Sequence, residues 1–186
     1  MKISFIPGAA GIAISADPTM DESYRARFDG ILPDLRTTTE SVTVRFPRSF
    51  HLDGTGYGGK VMLNASLPWA VEVCGGTSRL DADLRSLPLT RLDLQGGADQ
   101  VRVDLPAPCG TVAIRIAGGV SQVAFHRPSG VPVRLAVIGG GTRLRLGERT
   151  LDTVPRGTTL TDPGFDEVVD RYDIWVSGGT DRLTVA

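Results

Sequence analysis

Val71-Glu72-Val73-Cys74-Gly75-Gly76-Thr77-Ser78-Arg79-Leu80-Asp81-Ala82, VEVCGGTSRLDA, places apolar residues two apart on both sides of a Gly-Gly pair. The same template returns as LDLQGGADQVRV from Leu92, IRIAGGVSQVAF from Ile114, LAVIGGGTRLRL from Leu135 and IWVSGGTDRLTV from Ile174. The first four starts lie about 21 residues apart, and a longer interval precedes the fifth. A fixed period of this length marks a stacked repeat architecture, in which each unit buries its apolar face only against its neighbours.

Two weaker copies extend the pattern toward the N-terminus. Ile3-Ser4-Phe5-Ile6-Pro7-Gly8 keeps the apolar spacing with Pro-Gly in place of Gly-Gly. Gly58-Gly59 followed by Leu63 reads as the second half of another copy, with Leu63 paralleling Leu80 and the glycines paralleling Gly75-Gly76. Within each copy the period is two, so Val71, Val73, Leu80 and Ala82 face a core while Glu72 and Asp81 face out. The Gly-Gly pairs then mark corners where the backbone turns or rungs approach too closely for a Cβ. The expectation is an all-β fold, a single-stranded β-helix or β-solenoid with ~21-residue Gly-Gly rungs. It spans residues 1–186 as one domain, with insertions at about 17–57 and 147–173.

Stacking in sequence order aligns Asp81 with Arg102 and Glu72 with Asp93 and Arg115 on the outer surface. Tyr24-Arg25-Ala26-Arg27-Phe28 alternates and Asp29-Gly30 reads as a turn, so 17–50 is taken as strand although Thr19-x-x-Glu22 resembles a helix cap. Leu183-Thr184-Val185-Ala186 would leave a bare rung at the last end. Such an end requires a partner domain, an oligomer contact or an insertion folded over it.

Composition narrows the classes. With 20 basic and 21 acidic residues the net charge is -1, and no basic excess points to nucleic acid. No apolar run is long enough to span a membrane. Glycine and proline interrupt MKISFIPGAAGIAISADP, which is read as mature structure and not as a signal peptide. The location expected is cytoplasmic for a complete chain and envelope-associated for a piece of a longer one. Cys74 and Cys109 are expected to be free and buried, and the histidines show no zinc-like spacing.

Three candidate sites follow. Gly54-Thr55-Gly56-Tyr57-Gly58-Gly59-Lys60-Val61 nearly matches a phosphate loop, yet no helix signal and no hydroxyl follow Lys60. It is read as a glycine-rich corner, with Tyr57 and Lys60 as weak binding candidates. Asp81, Asp83, Asp104, His126 and Arg102 fall on neighbouring outer columns, where a solvated face of paired charges weighs against a polysaccharide-lyase-like site. Trp69, Trp175 and Tyr57 are aromatic groups able to stack on sugars. Trp175 should point outward beside Ala136, either packed under the 147–173 insertion or free to meet a partner. No catalytic residue, metal ligand or cofactor is assigned.

The Gly-Gly rungs, together with Arg171-Tyr172-Asp173-Ile174-Trp175-Val176-Ser177-Gly178-Gly179 and Leu183-Thr184-Val185, resemble bacterial adhesin-type domains of the toastrack family. The resemblance implies a right-handed single-stranded β-helix, of a kind often attached to membrane or signalling segments and related to parts of cell-wall stress response proteins. It implies a non-enzymatic interaction or scaffold module with a protein partner or self-association, and carries no catalytic residue. Carbohydrate stays open as a ligand, and nucleic acid and direct membrane insertion are not expected. The alternatives are a carbohydrate-active β-helix enzyme and a self-assembling structural subunit.

Overall fold

The computed structural model describes residues 1–6, 11–30, 32–47 and 58–186. Its first third contains β1 (Lys2–Ile6), β2 (Gly11–Asp17), β3 (Tyr24–Asp29), β4 (Asp34–Thr37), β5 (Ser41–Arg45) and β6 (Gly58–Asn64). The middle contains β7 (Trp69–Cys74), β8 (Thr77–Asp83), β9 (Leu89–Gln95), β10 (Ala98–Asp104), β11 (Thr111–Ala117) and β12 (Val120–His126). The last third contains β13 (Val133–Val137), β14 (Gly141–Leu146), β15 (Arg149–Val154), β16 (Thr158–Thr161), β17 (Arg171–Val176) and β18 (Thr180–Val185). The described residues include no helix, and the described part of 17–50, residues 17–30 and 32–47, contains β3, β4 and β5.

Each Gly-Gly corner joins one strand of a first nine-stranded sheet to one strand of a second, as β7 to β8 and β9 to β10. The inward residues of both sheets, Val71, Val73, Leu80 and Ala82 among them, form one apolar core between the two layers. Burying an aliphatic side chain of this size contributes about 1.5–3 kcal/mol, which is why strict alternation fixes the register. Val71 lies opposite Leu92, Leu92 opposite Ile114, and Arg102 opposite Asp81, as the repeat requires.

The order of the rungs departs from the order of the sequence. The first sheet runs β16-β13-β17-β11-β9-β7-β1-β5-β4 and the second β15-β14-β18-β12-β10-β8-β2-β6-β3. The N-terminal rung, β1 and β2, thus sits inside β5 and β6, and the C-terminal rung, β17 and β18, sits inside β13 and β14. Ile174 lies between Ile114 and Leu135 instead of beyond Leu135. The corners record the same order sterically: a Cβ on Gly178 would come within 1.9 Å of the Gly118 carbonyl oxygen, and one on Gly139 within 2.4 Å of that of Gly178. Only glycine lets consecutive corners nest this closely.

Because the C-terminal rung is threaded inward, Leu183 to Val185 is no bare end. The two insertions cover the stack. β3 and β4 pair antiparallel with β6 and β5, and β15 and β16 pair antiparallel with β14 and β13. At the N-terminal end the buried Asn64 amide donates to the carbonyls of Met20 (2.8 Å) and Glu22 (3.1 Å). Its side-chain oxygen accepts from the Ser66 amide, and its backbone carbonyl accepts from the Trp69 indole at 3.0 Å. At the C-terminal end Asp162 is held by Arg127, by Arg149 at 2.8 Å and by the Val133 amide at 3.1 Å. The outermost strand β4 is exposed throughout and carries Asp34 and Arg36, charges that discourage another edge from pairing with it.

Gly58 and Gly59 are not a corner. They lie within β6, opposite Gly11 and Ile12, and these align in turn with Arg79 and with Leu80. Leu63 is opposite Ala16, four positions beyond Gly59, the residue that actually aligns with Leu80 through Ile12. Gly59 is inward-facing, and a Cβ there would meet the Phe28 ring at 2.4 Å. The glycine therefore makes room for an aromatic ring from the capping strand, which packs edge to face on Phe46 at 5.9 Å.

Candidate functional site

The second sheet brings the predicted carboxylates together only as a flat ladder. Asp83, Asp104 and His126 occupy one column and Asp81 faces Arg102 in the next. Each group has its own partner. Arg85 donates twice to Asp83, at 2.9 and 2.7 Å, and holds that carboxyl below its ordinary range. His126 Nδ1 lies 2.8 Å from Asp104. The closest cations to Asp81 and Asp104 along the strands are Arg79 and Arg102, each at 3.8 Å. The arginine pairs of these aspartates thus run along the chain between residues two apart, and only His126–Asp104 crosses rungs, whereas stacking in sequence order aligned Asp81 with Arg102. Strand-parallel pairs on an exposed face contribute little stability. Acid and base groups that converge on a cleft are what general acid–base chemistry requires, and this ladder spreads them out. Among the described residues there is no cluster of three potential metal ligands.

Lys60 lies exposed on β6 between Arg27 of β3 and Ala13 of β2. It lies within a strand and not at the start of a helix, as a phosphate loop would require. Tyr57 lies outside the described residues. Cys74 is free but only partly buried, and Cys109 is free and exposed, so the expected burial of both thiols does not hold. Burial raises the Cys74 thiol pKa, and the neighbouring Glu72 carboxylate adds to the rise.

Trp175 stands on the outer face of the first sheet, opposite Ala136 on one side and Arg115 on the other. It is 51% exposed, whereas Trp69 is entirely buried. The 147–173 insertion does not cover it: β16 pairs beyond Ala136 and places Thr159 there. Two small or apolar neighbours extend the surface, Ala113 in β11 and the exposed Ile138. Asp173 and Arg134, in the adjacent column, neutralise one another through bonds of 3.0 and 2.6 Å. The result is an exposed indole set between Ala136 and the exposed Arg115, with a charge pair in the adjacent column. Sequence reading missed Ile138, although it occupies the same outward column parity that identified Trp175. It also missed a row of Arg79, Gln100, Gln122 and Arg182, the residues three places after four of the five Gly-Gly pairs.

A family model described as the N-terminal domain of toast_rack, DUF2154, matches residues 33–126. Among solved structures, a "putative cell adhesion protein" from Clostridium sporogenes aligns with a TM-score of 0.68. The alignment covers 100% of this chain and 92% of that one at 15% identity, and is a likeness of fold. A "putative adhesin" from Bacteroides fragilis aligns with a TM-score of 0.36 at 8% identity, covering 100% of this chain and 91% of its own. No curated protein matches the chain.

Proposed function

The chain belongs to the family of the toast_rack N-terminal domain, and from that premise we propose that it is a non-enzymatic, adhesin-like interaction module whose partner is a protein. The observation that carries this reading is Trp175, half-exposed at a position where the middle rungs place Glu72, Asp93 and Arg115. An indole on a flat surface of small side chains supplies a large contact area at low entropic cost, which makes it an anchor of the kind that dominates protein interfaces. Asp173 and Arg134 neutralise one another while the Arg115 guanidinium stands opposite the indole, so a partner surface that joins apolar area to an acceptor for that group fits the patch. End-to-end assembly of the chain is disfavoured by the short, charged outer strand β4.

The test compares the wild-type domain with Trp175→Ala in a pull-down from cells of the source organism, after circular dichroism shows that both fold. A protein retained by the wild type and lost by the variant supports the reading. Equal capture by both moves the partner off this face. Release of unsaturated uronides from polyuronate by the wild type, abolished by Asp104→Asn, would overturn the non-enzymatic assignment.

A further inference from the structure

The opposite face carries a second surface of different chemistry. Residues from β8, β10, β12 and β18 line an open groove of about 240 Å³ on the outside of the second sheet. Its rim is the row Arg79, Gln100, Gln122 and Arg182, whose members are consecutive partners in the parallel ladder. Parallel strands lie about 4.8 Å apart, so the row presents a polar side chain at each such step. Its floor is lowered at Ala124 and Thr184, and Arg102 forms the facing wall.

Three guanidinium groups line this groove against one carboxylate, Asp81. Among the described residues, the side chains of Gln100, Gln122 and Arg182 make no hydrogen bond or salt bridge. Arg79 and Arg102 are held only loosely, each 3.8 Å from an aspartate on its own strand. The lining thus has more guanidinium groups than carboxylates, although Arg102 also lies near Asp104 and Arg182 near Asp181, and its glutamine amides both donate and accept. Every strand beneath it is paired on both sides, so a peptide cannot add to the sheet here and recognition falls to side chains alone. Two adjacent amides flanked by guanidinium groups suit a ligand that offers hydroxyls between carboxylates.

We propose that this groove binds an acidic oligosaccharide, its carboxylates on Arg102 and Arg182 and its hydroxyls on Gln100 and Gln122. The site lies on the other sheet from Trp175, so its ligand and the protein partner would be held on opposite faces.

Titration calorimetry of the full chain with oligogalacturonate and with hyaluronan oligomers tests it, beside a neutral galactan oligomer and polyglutamate. Saturable binding of at least one uronate oligomer, weakened by salt and absent for the neutral chain, is expected. Arg102→Gln and Arg182→Gln should each weaken it about tenfold, the loss of one charge-assisted contact. Arg27→Gln, an exposed arginine at the far end of the same sheet, should leave it unchanged, as should Trp175→Ala. Failure of both uronates to bind overturns the proposal, and so does an equal loss with Arg27→Gln, which would show only diffuse charge. Binding of polyglutamate alone would mark an acidic-protein surface instead. Each of these results leaves the Trp175 reading untouched, because that reading predicts no loss of uronate affinity in Trp175→Ala.

Discussion

The middle of the stack and its two ends close the same core by different means. From β7 to β12 the rungs are joined by parallel backbone ladders and by corners in which one glycine nests on the next. At the ends, β3 with β4 and β15 with β16 reverse direction, and single polar side chains lock them down, Asn64 at one end and Asp162 at the other. In the middle, then, the determining property is the absence of a side chain. At the ends it is one particular hydrogen-bonding group. The two regions should therefore fail in different ways when mutated.

The largest loss is expected in the middle. A Cβ on Gly118 would lie 2.6 Å from the Gly96 carbonyl oxygen and 2.7 Å from its carbon, at a φ of +125°. Neither backbone can retreat without opening the ladder on both sides. Gly118→Ala should cost about 3 kcal/mol, read as a lower urea midpoint, with Tm falling by about 10 °C. Gly119→Ala is the control, since the nearest atom to its Cβ is 3.9 Å away, and it should change stability by less than about 0.5 kcal/mol. Equal effects from the two substitutions would show that the corners are not held by close approach.

Asn64→Asp should come next, and should act on one end. The substitution turns two donated bonds, to Met20 and Glu22, into a carboxylate facing two carbonyls in a buried site. The expected loss is about 2 kcal/mol. Hydrogen exchange would sharpen the comparison: amides of β3 and β6 should lose protection while those of β9 to β12 keep theirs. Uniform loss across the chain would mean that the cap and the middle unfold as one unit.

The same division explains what could be read from the sequence. The middle was legible because its cause, a Gly-Gly corner flanked by alternating apolar residues, is local and repeats in register. Val71, Leu92, Ile114, Leu135 and Ile174 occupy equivalent positions. The order of the rungs was not legible, because equivalent rungs are interchangeable: Ile174 fits beside Ile114 or outside Leu135 equally well by template. Gly58-Gly59 misled for the opposite reason. Gly59 answers to Phe28, a contact about thirty residues away that no local pattern signals. On the surface, the outward direction of Trp175 followed from alternation alone. Whether the 147–173 insertion covered it depended on where β16 pairs, which is a tertiary fact.

The smallest effect is expected where the two regions meet. Glu72 of β7 accepts hydrogen bonds from Ser4 at 2.8 Å and Gln95 at 2.8 Å and pairs with Lys2 at 2.7 Å, tying the N-terminal rung to the middle. The Lys2 ammonium holds the Glu72 carboxyl below its ordinary value of 4.5; burial opposes this, and Ser4 assists it. A carboxyl whose pKa is lower folded than unfolded contributes stability that is complete above the unfolded value and lost as pH falls through the folded one. Glu72→Gln should therefore cost about 1 kcal/mol near neutral pH, a modest figure because Lys2 is half in solvent. The gap between variant and wild type should close as pH falls below the range in which Glu72 ionises. Two stability curves that stay parallel down to low pH would show that Glu72 joins the regions by packing and neutral hydrogen bonds. In that case the charge of Lys2 would play no part in seating the first rung between β5 and β7.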